Sequence, residues 1–169
     1  MSYSIYFAHG KESGPKGIKI QYLSKIAEKY KIKTYSPNYS YTFDPDIRVE
    51  NLLSICNVVP NKLILIGSSM GGYVSAVASS KLKPIGMFLM APAFYMPGYK
   101  IEEPVPNSKN TWIVHGFKDS IVPYENSVKY AEKFDCYLHL INSEHTLNNS
   151  IERIGHLFEL FLLETINIR

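Results

Sequence analysis

The sequence contains two apolar runs that restrict the fold more than any other feature, within the predicted strands Lys62–Ile66 and Ile85–Ala91. The first run reads KLILI and the second contains GMFLM, so neither alternates apolar with polar residues. A strand that is apolar at consecutive positions is buried on both faces, which is typical of a parallel sheet covered by helices on each side. The runs therefore predict an α/β protein, a three-layer α/β/α sandwich with a mainly parallel sheet.

Segments with the spacing of amphipathic helices separate most of the short β-like runs. The sheet is expected to have about six strands, at Ser4–Ala8, Ile32–Tyr35, Lys62–Ile66, Ile85–Ala91, Thr111–His115 and Cys136–Ile141. The predicted helices are Gly17–Tyr30, Asp46–Val58, Met70 to about Lys81, Pro123–Phe134 and Asn149–Ile166. The segment Pro92–Asn110 is rich in proline and tyrosine and has no clear periodicity. No linker or repeat divides the 169 residues, which predicts one domain over residues 1–169.

Composition and charge narrow the classes of function. The 18 basic and 15 acidic residues are scattered and give a net charge of only +3, so no nucleic-acid partner is expected. The first ten residues lack the pattern of a signal peptide, and no apolar run approaches the roughly 20 residues of a membrane helix. A cytoplasmic protein with no membrane contact is therefore expected. Cys56 and Cys136 lie in no metal-binding spacing, and neither a metal nor a cofactor is predicted.

A GxSxG motif at Gly67–Gly71 follows the KLILI strand and opens a helix of small residues. A serine on such a sharp strand-to-helix turn projects its hydroxyl clear of the sheet, and the flanking glycines let strand and helix approach each other. Ser69 is thus a candidate nucleophile, and the Met70 N–H at the start of the helix would face a developing oxyanion. The alternative, a glycine-rich phosphate-binding turn, lacks the GxGxxG and GxxxxGK[ST] patterns.

A serine hydroxyl needs a base that is itself oriented by a third group. The candidate bases are His9, His115, His139, His145 and His156. His145 lies on a loop after the last predicted strand, from which it could reach Ser69. His139 and His156 lie within a strand and a helix, where packing or exposure is the usual role.

Asp119, on a strand-to-helix loop, is the candidate acid that orients the base, although an acid there also suits a helix N-terminus. Asp135 and Glu144 are weaker candidates, because Asp135 precedes a strand and Glu144 adjoins His145.

The order Ser69, Asp119, His145 is that of a triad in the α/β-hydrolase superfamily, which the sequence resembles over nearly its whole length. The stretch His115–Pro123 looks like the acid loop of that family, and His9-Gly10 resembles its oxyanion-loop motif. The resemblance implies a minimal α/β-hydrolase fold, similar to small, lid-poor bacterial serine esterases and acyl-hydrolases. By this resemblance, we expect the sequence to lack two N-terminal antiparallel strands of the family and to have its lid reduced to Pro92–Asn110.

The resemblance also implies the roles of residues around the serine. The backbone N–H of Lys11 would be the second oxyanion donor beside that of Met70, and His9 would be a structural residue of the loop. Four residues are candidates for an acyl pocket, although packing of the loop onto the sheet would explain them equally well: Phe94, Tyr95, Met96 and Tyr99.

The expected function is hydrolysis of a small-molecule ester or thioester through an acyl-enzyme on Ser69. The alternatives are a non-catalytic binding protein with a hydrolase fold, or a peptidase, acyltransferase or C–C hydrolase with the same triad. A His145 too far from Ser69 to form a hydrogen bond would favour the binding protein. Nothing in the sequence specifies the acyl group, the oligomeric state or whether Pro92–Asn110 acts as a lid.

Overall fold

The architecture is a parallel sheet between two layers of helices, seen in a computed structural model that describes residues 2–56 and 62–167. Over these residues, six strands form one sheet in the order β2-β1-β3-β4-β5-β6, and every neighbouring pair is parallel. The strands are β1 (Ser4–Ala8), β2 (Lys33–Tyr35), β3 (Leu63–Ser68), β4 (Gly86–Met90), β5 (Thr111–Gly116) and β6 (Tyr137–Ile141). The predicted α/β class and three-layer sandwich are confirmed.

Helices cover both faces of the sheet. They are α1 (Ile18–Lys29), α2 (Pro45–Ile55), α3 (Met70–Leu82), α4 (Tyr124–Phe134) and α5 (Ile151–Thr165), and a 3₁₀ turn at Asn148–Ser150 precedes α5. Apolar residues of α1 and α5 pack on one face of the sheet, and those of α2, α3 and α4 pack on the other. The central strands β3 and β4 are buried almost throughout, which explains their uninterrupted apolar runs.

The boundaries differ from the predicted ones by a few residues at several ends. Strand β3 runs on to Ser68, because Gly67 and Ser68 still pair with β4. Helix α5 begins two residues later than predicted, after the 3₁₀ turn. The predicted helix Asp46–Val58 corresponds to α2, and its last two predicted residues lie outside the described residues.

The sheet order places the ends of two strands next to a crevice. Strand β2 lies on one side of β1 and β3 lies on the other, so the chain leaves β1 and β3 towards opposite faces of the sheet. In open α/β sheets, ligands bind in the crevice that this divergence opens beyond the carboxyl ends of the strands. Ala8 of β1 pairs with Gly67 of β3, and the residues that follow them, His9-Gly10 and Ser68-Ser69, lie side by side at this point.

Candidate active site

Ser69 occupies the turn between β3 and α3 with a strained backbone, at φ 54° and ψ −119°. A residue other than glycine in this region costs about 1–3 kcal/mol. Backbone hydrogen bonds hold the turn in place. The Ser69 N–H donates to the Met90 carbonyl at 2.9 Å, and the Ser69 carbonyl accepts from the N–H groups of Gly72 and Ala93 at 2.9 and 3.0 Å. The turn has the features of a nucleophile elbow.

The glycines on either side of Ser69 permit backbone contacts that a side chain would prevent. A Cβ on Gly67 would lie 2.3 Å from the Gly71 carbonyl oxygen, and one on Gly71 would lie 1.8 Å from the Ala8 carbonyl oxygen. Helix α3 therefore starts in direct contact with the backbone of β1 as well as β3. The motif needs glycine at both positions for this steric reason.

Gly71→Ala is expected to reduce the free energy of unfolding by about 3 kcal/mol or more, because the added methyl meets rigid backbone rather than a movable side chain. Urea denaturation measures this loss. Gly14→Ala is a matched control, since the nearest atom to a Cβ there is 3.9 Å away. A Gly71→Ala variant as stable as the wild type would contradict the close approach of α3 to β1.

Ser69, His145 and Asp119 form one hydrogen-bonded chain. The Ser69 hydroxyl donates to Nε2 of His145 at 3.0 Å, and Nδ1–H of His145 donates to Oδ2 of Asp119 at 2.6 Å. The Asp119 side chain is fully buried and that of His145 is 20% exposed. An imidazole held in this tautomer presents its free lone pair to the serine, as a general base must.

Four donors surround the Asp119 carboxylate. Oδ1 accepts from the N–H groups of Ile121 and Val122 at 2.8 and 2.9 Å, and Oδ2 accepts from His145 and from His115. Burial by itself raises the pKa of this carboxyl, but the hydrogen bonds from His145 and the two backbone N–H groups outweigh it and lower the pKa. Asp119 is therefore an anion with both oxygens fully hydrogen-bonded.

His115 is a partner of Asp119 that the sequence did not predict. Its side chain is fully buried, and Nε2–H donates to Oδ2 of Asp119 at 2.9 Å, the oxygen that also accepts from His145. The Ser127 hydroxyl lies 2.7 Å from Nδ1 of His115 and donates to it. Burial lowers the pKa of His115, consistent with this neutral tautomer. The spacing of four residues between His115 and Asp119 was the signal in the sequence that could have paired them.

His9 is fixed within the loop that follows β1. Its Nδ1–H donates to the Gly10 carbonyl at 2.8 Å, and its Nε2 accepts from the Tyr39 N–H at 2.9 Å. Both ring nitrogens are thus engaged with backbone, and burial lowers the pKa of the imidazole. These contacts leave no lone pair for Ser69. They match the structural role that the resemblance implied for His9.

The two buried histidines predict how stability depends on pH. Because the pKa values of His9 and His115 are lowered by burial in the folded chain, the unfolded chain binds more protons below about pH 6.5. The free energy of unfolding should therefore fall as the pH is lowered from 7 to 5.5, by at most about 1.4 kcal/mol per pH unit for each histidine. Urea denaturation at several pH values measures this slope. A free energy of unfolding that stays constant or rises would contradict the buried, neutral state of these two side chains.

A cavity of about 1150 Å³ opens over Ser69 and His145. The loop after β1 and the first turn of α1 form one wall, residues 10–20. The rest of the lining includes Met90, Ala93, Met96, Pro97, Tyr99, Ile121, Val122 and Thr146. Its surface is mostly apolar, and Lys11 is among the residues that line it. Such a mostly apolar cavity with a few polar groups converging at one point is typical of a site for a small molecule.

Two of the four residues expected in an acyl pocket lie elsewhere, which corrects that expectation. Phe94 is fully buried, and its ring stacks on that of Tyr130 with 3.9 Å between centroids. The Tyr95 hydroxyl donates to Glu103 at 2.6 Å, and its ring lies under the Lys129 ammonium. Packing against α4 holds these two rings away from the cavity. Met96 and Tyr99 do line it.

Hydrogen bonds tie the segment Pro92–Asn110 to the helices beside it. The Ile101 N–H donates to the Tyr73 hydroxyl at 3.1 Å, the Asn107 N–H donates to Ser79 at 2.9 Å, and the Tyr130 hydroxyl donates to the Pro104 carbonyl at 2.7 Å. The segment therefore packs along α3 and α4. Within it, the residues that contribute to the cavity wall are Ala93, Met96, Pro97 and Tyr99.

The sequence over residues 4–102 matches the model of an uncharacterised protein family, UPF0227. The chain belongs to the UPF0227 family. The matched residues include the loop after β1, Arg48 of α2 and the GxSxG turn, whereas Asp119 and His145 lie beyond the match. No curated protein matches the chain.

Solved structures show that this UPF0227 chain has the α/β-hydrolase fold. A proposed hydrolase of the alpha/beta superfamily from Xanthomonas campestris pv. campestris superposes with a TM-score of 0.84, at 24% identity over 96% of this chain and 99% of the other. Est1E from Butyrivibrio proteoclasticus gives 0.81, at 18% identity over 98% and 89% of the two chains. A Xanthomonas campestris protein described as an α/β serine hydrolase without lid gives 0.72, at 17% identity over 96% and 81%. The predicted fold resemblance is confirmed.

None of the helices within residues 2–56 and 62–167 is both long and apolar enough to span a membrane.

Proposed function

We propose that this protein is a serine hydrolase that cleaves a small ester or thioester through an acyl-enzyme intermediate on Ser69. The observation that carries the proposal is the unbroken path of hydrogen bonds from Ser69 through His145 to Asp119, at 3.0 and 2.6 Å. The alternative of a non-catalytic binding protein would be favoured by a His145 out of reach of Ser69. The short distance between the two side chains argues against it.

The acylation step uses these groups in turn. Ser69 Oγ attacks the carbonyl carbon of the substrate while His145 Nε2 takes the hydroxyl proton, and the Asp119 carboxylate stabilises the imidazolium that forms. His145 then gives the proton to the leaving alcohol or thiol as the carbon–heteroatom bond breaks. A water molecule then attacks the acyl carbon while His145 takes its proton, and His145 returns that proton to Ser69 Oγ as the bond from the acyl carbon to Oγ breaks, which releases the acid and free Ser69.

The backbone N–H groups of Met70 and Lys11 are the proposed donors to the oxyanion. Met70 is the first residue of α3, so its N–H has no partner within the helix. Gly10, which precedes Lys11, lies against Ser69. A Cβ added to Gly10 would be 3.5 Å from Ser69 Cβ. Within the described residues, neither N–H donates a hydrogen bond to another group of the chain. Both are therefore available to a developing negative charge.

A panel of substrates tests the proposal and separates ester, thioester and amide chemistry. The folded wild type should hydrolyse p-nitrophenyl acetate or butyrate, or a short-chain thioester, faster than an aminoacyl p-nitroanilide, because amine leaving groups are harder to expel. The absence of turnover on every ester and thioester would contradict the proposed function. A clear preference for the amide would instead identify a peptidase with the same triad.

A further inference from the structure

The side chain of Arg48 is the least expected feature of the described structure. Arg48 lies on α2, and its side chain is fully buried. Within the described residues, no carboxylate lies within ion-pair distance of its guanidinium. Burial lowers the pKa of the guanidinium, but an arginine remains protonated in a protein. A buried cation without an acidic partner is costly, so its environment must provide other compensation.

Backbone carbonyls provide that compensation. Nε donates to the Thr42 carbonyl at 3.0 Å, Nη1 donates to the carbonyls of His9 and Gly10 at 3.1 Å each, and Nη2 donates to the Lys11 carbonyl at 3.2 Å. Three consecutive carbonyls of the loop after β1 therefore face one guanidinium. Only the planar fork of arginine offers enough donors, in fixed directions, to bind them together.

This arrangement fixes the direction of the Lys11 N–H, together with the hydrogen bond from Nδ1–H of His9 to the same Gly10 carbonyl at 2.8 Å. The carbonyl of Gly10 and the N–H of Lys11 belong to the same planar peptide unit and point in opposite directions. Because the carbonyl faces Arg48, the Lys11 N–H faces away from Arg48. Lys11 and Ser69 both line the cavity, and Gly10 lies against Ser69. The guanidinium also places a positive charge behind the peptide that carries this N–H.

We propose that Arg48 is a positioning residue that holds the Lys11 N–H in place for the oxyanion and adds positive potential behind it. The inference rests on the proposed hydrolase function. Arg48 itself does not contact the substrate, because it is buried beneath the loop. Its effect is exerted on the transition state, where the carbonyl oxygen of the substrate becomes negative, and only weakly on the bound ground state.

The kinetic parameters of Arg48→Met test the proposal on a p-nitrophenyl ester. Loss of one complete oxyanion donor costs about 10²–10³ in kcat, and a misplaced donor should cost less, about 10–100-fold. KM should change little. Arg48→Lys keeps the charge but cannot reach all four carbonyls, so its kcat should lie between those of Arg48→Met and the wild type. Arg153→Met, at an exposed position on α5, is a matched control for loss of charge and should leave kcat unchanged.

An alkyl boronic acid distinguishes this role from a general structural one. Boronates form an anionic tetrahedral adduct with a nucleophilic serine, so the inhibition constant should rise by about the same factor by which kcat/KM falls. Thermal melting shows whether each variant is folded. If Arg48→Met does not fold, the proposal is tested with the folded Arg48→Lys variant. That variant should show a reduced kcat, an unchanged KM and weaker boronate binding.

Three results would overturn the inference. Folded Arg48 variants with the kcat and boronate affinity of the wild type would show that the guanidinium does not act on the oxyanion. A fall in kcat with unchanged boronate affinity would assign Arg48 a different role. A folded wild type that turns over no ester or thioester would instead overturn the proposed function, and this inference with it.

Discussion

Replacement of Ser69 by alanine is expected to lower kcat for p-nitrophenyl acetate or butyrate by about 10⁶, to the background rate of the buffer. The variant lacks the atom proposed to form the acyl-enzyme, while His145, Asp119 and the proposed oxyanion donors stay in place. The measurement is the steady-state rate at saturating ester, together with a thermal melt. A folded Ser69→Ala variant that keeps substantial turnover would show that another group is the nucleophile.

Ser69→Gly is the matched variant, because it removes the same hydroxyl and also relieves the backbone. The φ of 54° and ψ of −119° at this position suit glycine. We expect Ser69→Gly to be as inactive as Ser69→Ala. We also expect it to be more stable than Ser69→Ala by about 1 kcal/mol, because the strain energy removed from the folded chain exceeds the conformational entropy that glycine adds to the unfolded chain. Equal stability of the two variants would argue against strain at the turn.

Asp119→Asn is expected to lower kcat by about 10⁴ while the protein stays folded. The direction of the new amide follows from the contacts of the carboxylate. Oδ1 accepts from two backbone N–H groups, so the amide oxygen must stay there, and the NH₂ group takes the place of Oδ2. That NH₂ then faces the N–H groups of both His145 and His115, which donated to Oδ2. Two donors cannot form a hydrogen bond with each other.

His145 can relieve this conflict by changing tautomer, whereas Nε2–H of His115 keeps a second acceptor in the Val122 carbonyl at 3.1 Å. His145 with its proton on Nε2 would donate towards Ser69 and could not accept the hydroxyl proton, which is why the rate should fall so far. Asp135→Asn is the matched control, because Asp135 is an exposed acid at the end of α4 in a left-handed conformation that asparagine tolerates. A folded Asp119→Asn variant within about tenfold of the wild-type kcat would mean that Asp119 does not orient the base.

Much of the architecture follows from patterns that are local in the sequence. The apolar runs of β3 and β4 required burial on both faces, and their partners had to be parallel because helices intervene. The GxSxG turn is also local, since its glycines meet backbone only a few residues or one strand away. These features can be predicted from a single sequence because each depends on one element and its immediate neighbours.

Contacts between distant residues were harder to predict. On α2, Ile47 is 43% exposed while the adjacent Arg48 is fully buried, the reverse of what hydropathy suggests. The reason is the row of loop carbonyls that Arg48 satisfies, and those belong to residues nearly 40 positions earlier in the sequence. The hydrophobic periodicity of α2 does not indicate such a distant partner.

The positions of the aromatic residues near the cavity also depend on distant contacts that the sequence does not predict. The sequence places Phe94 and Tyr99 in one tyrosine-rich segment with nothing to tell them apart. In the folded chain, Phe94 stacks on Tyr130 of α4 while Tyr99 reaches the cavity. Which ring is buried depends on the path of an irregular segment, and that path is set by hydrogen bonds to α3 and α4.

The most direct measurement of the central claim is the site of covalent labelling by a fluorophosphonate, read by intact-protein and peptide mass spectrometry. The hydroxyl of Ser69, activated by His145, should give one adduct per chain on the peptide that contains Gly67–Gly71, with no adduct in Ser69→Ala and much slower labelling in Asp119→Asn. A folded wild type that gains no adduct, or carries it on another residue, would contradict the assignment of Ser69 as the nucleophile.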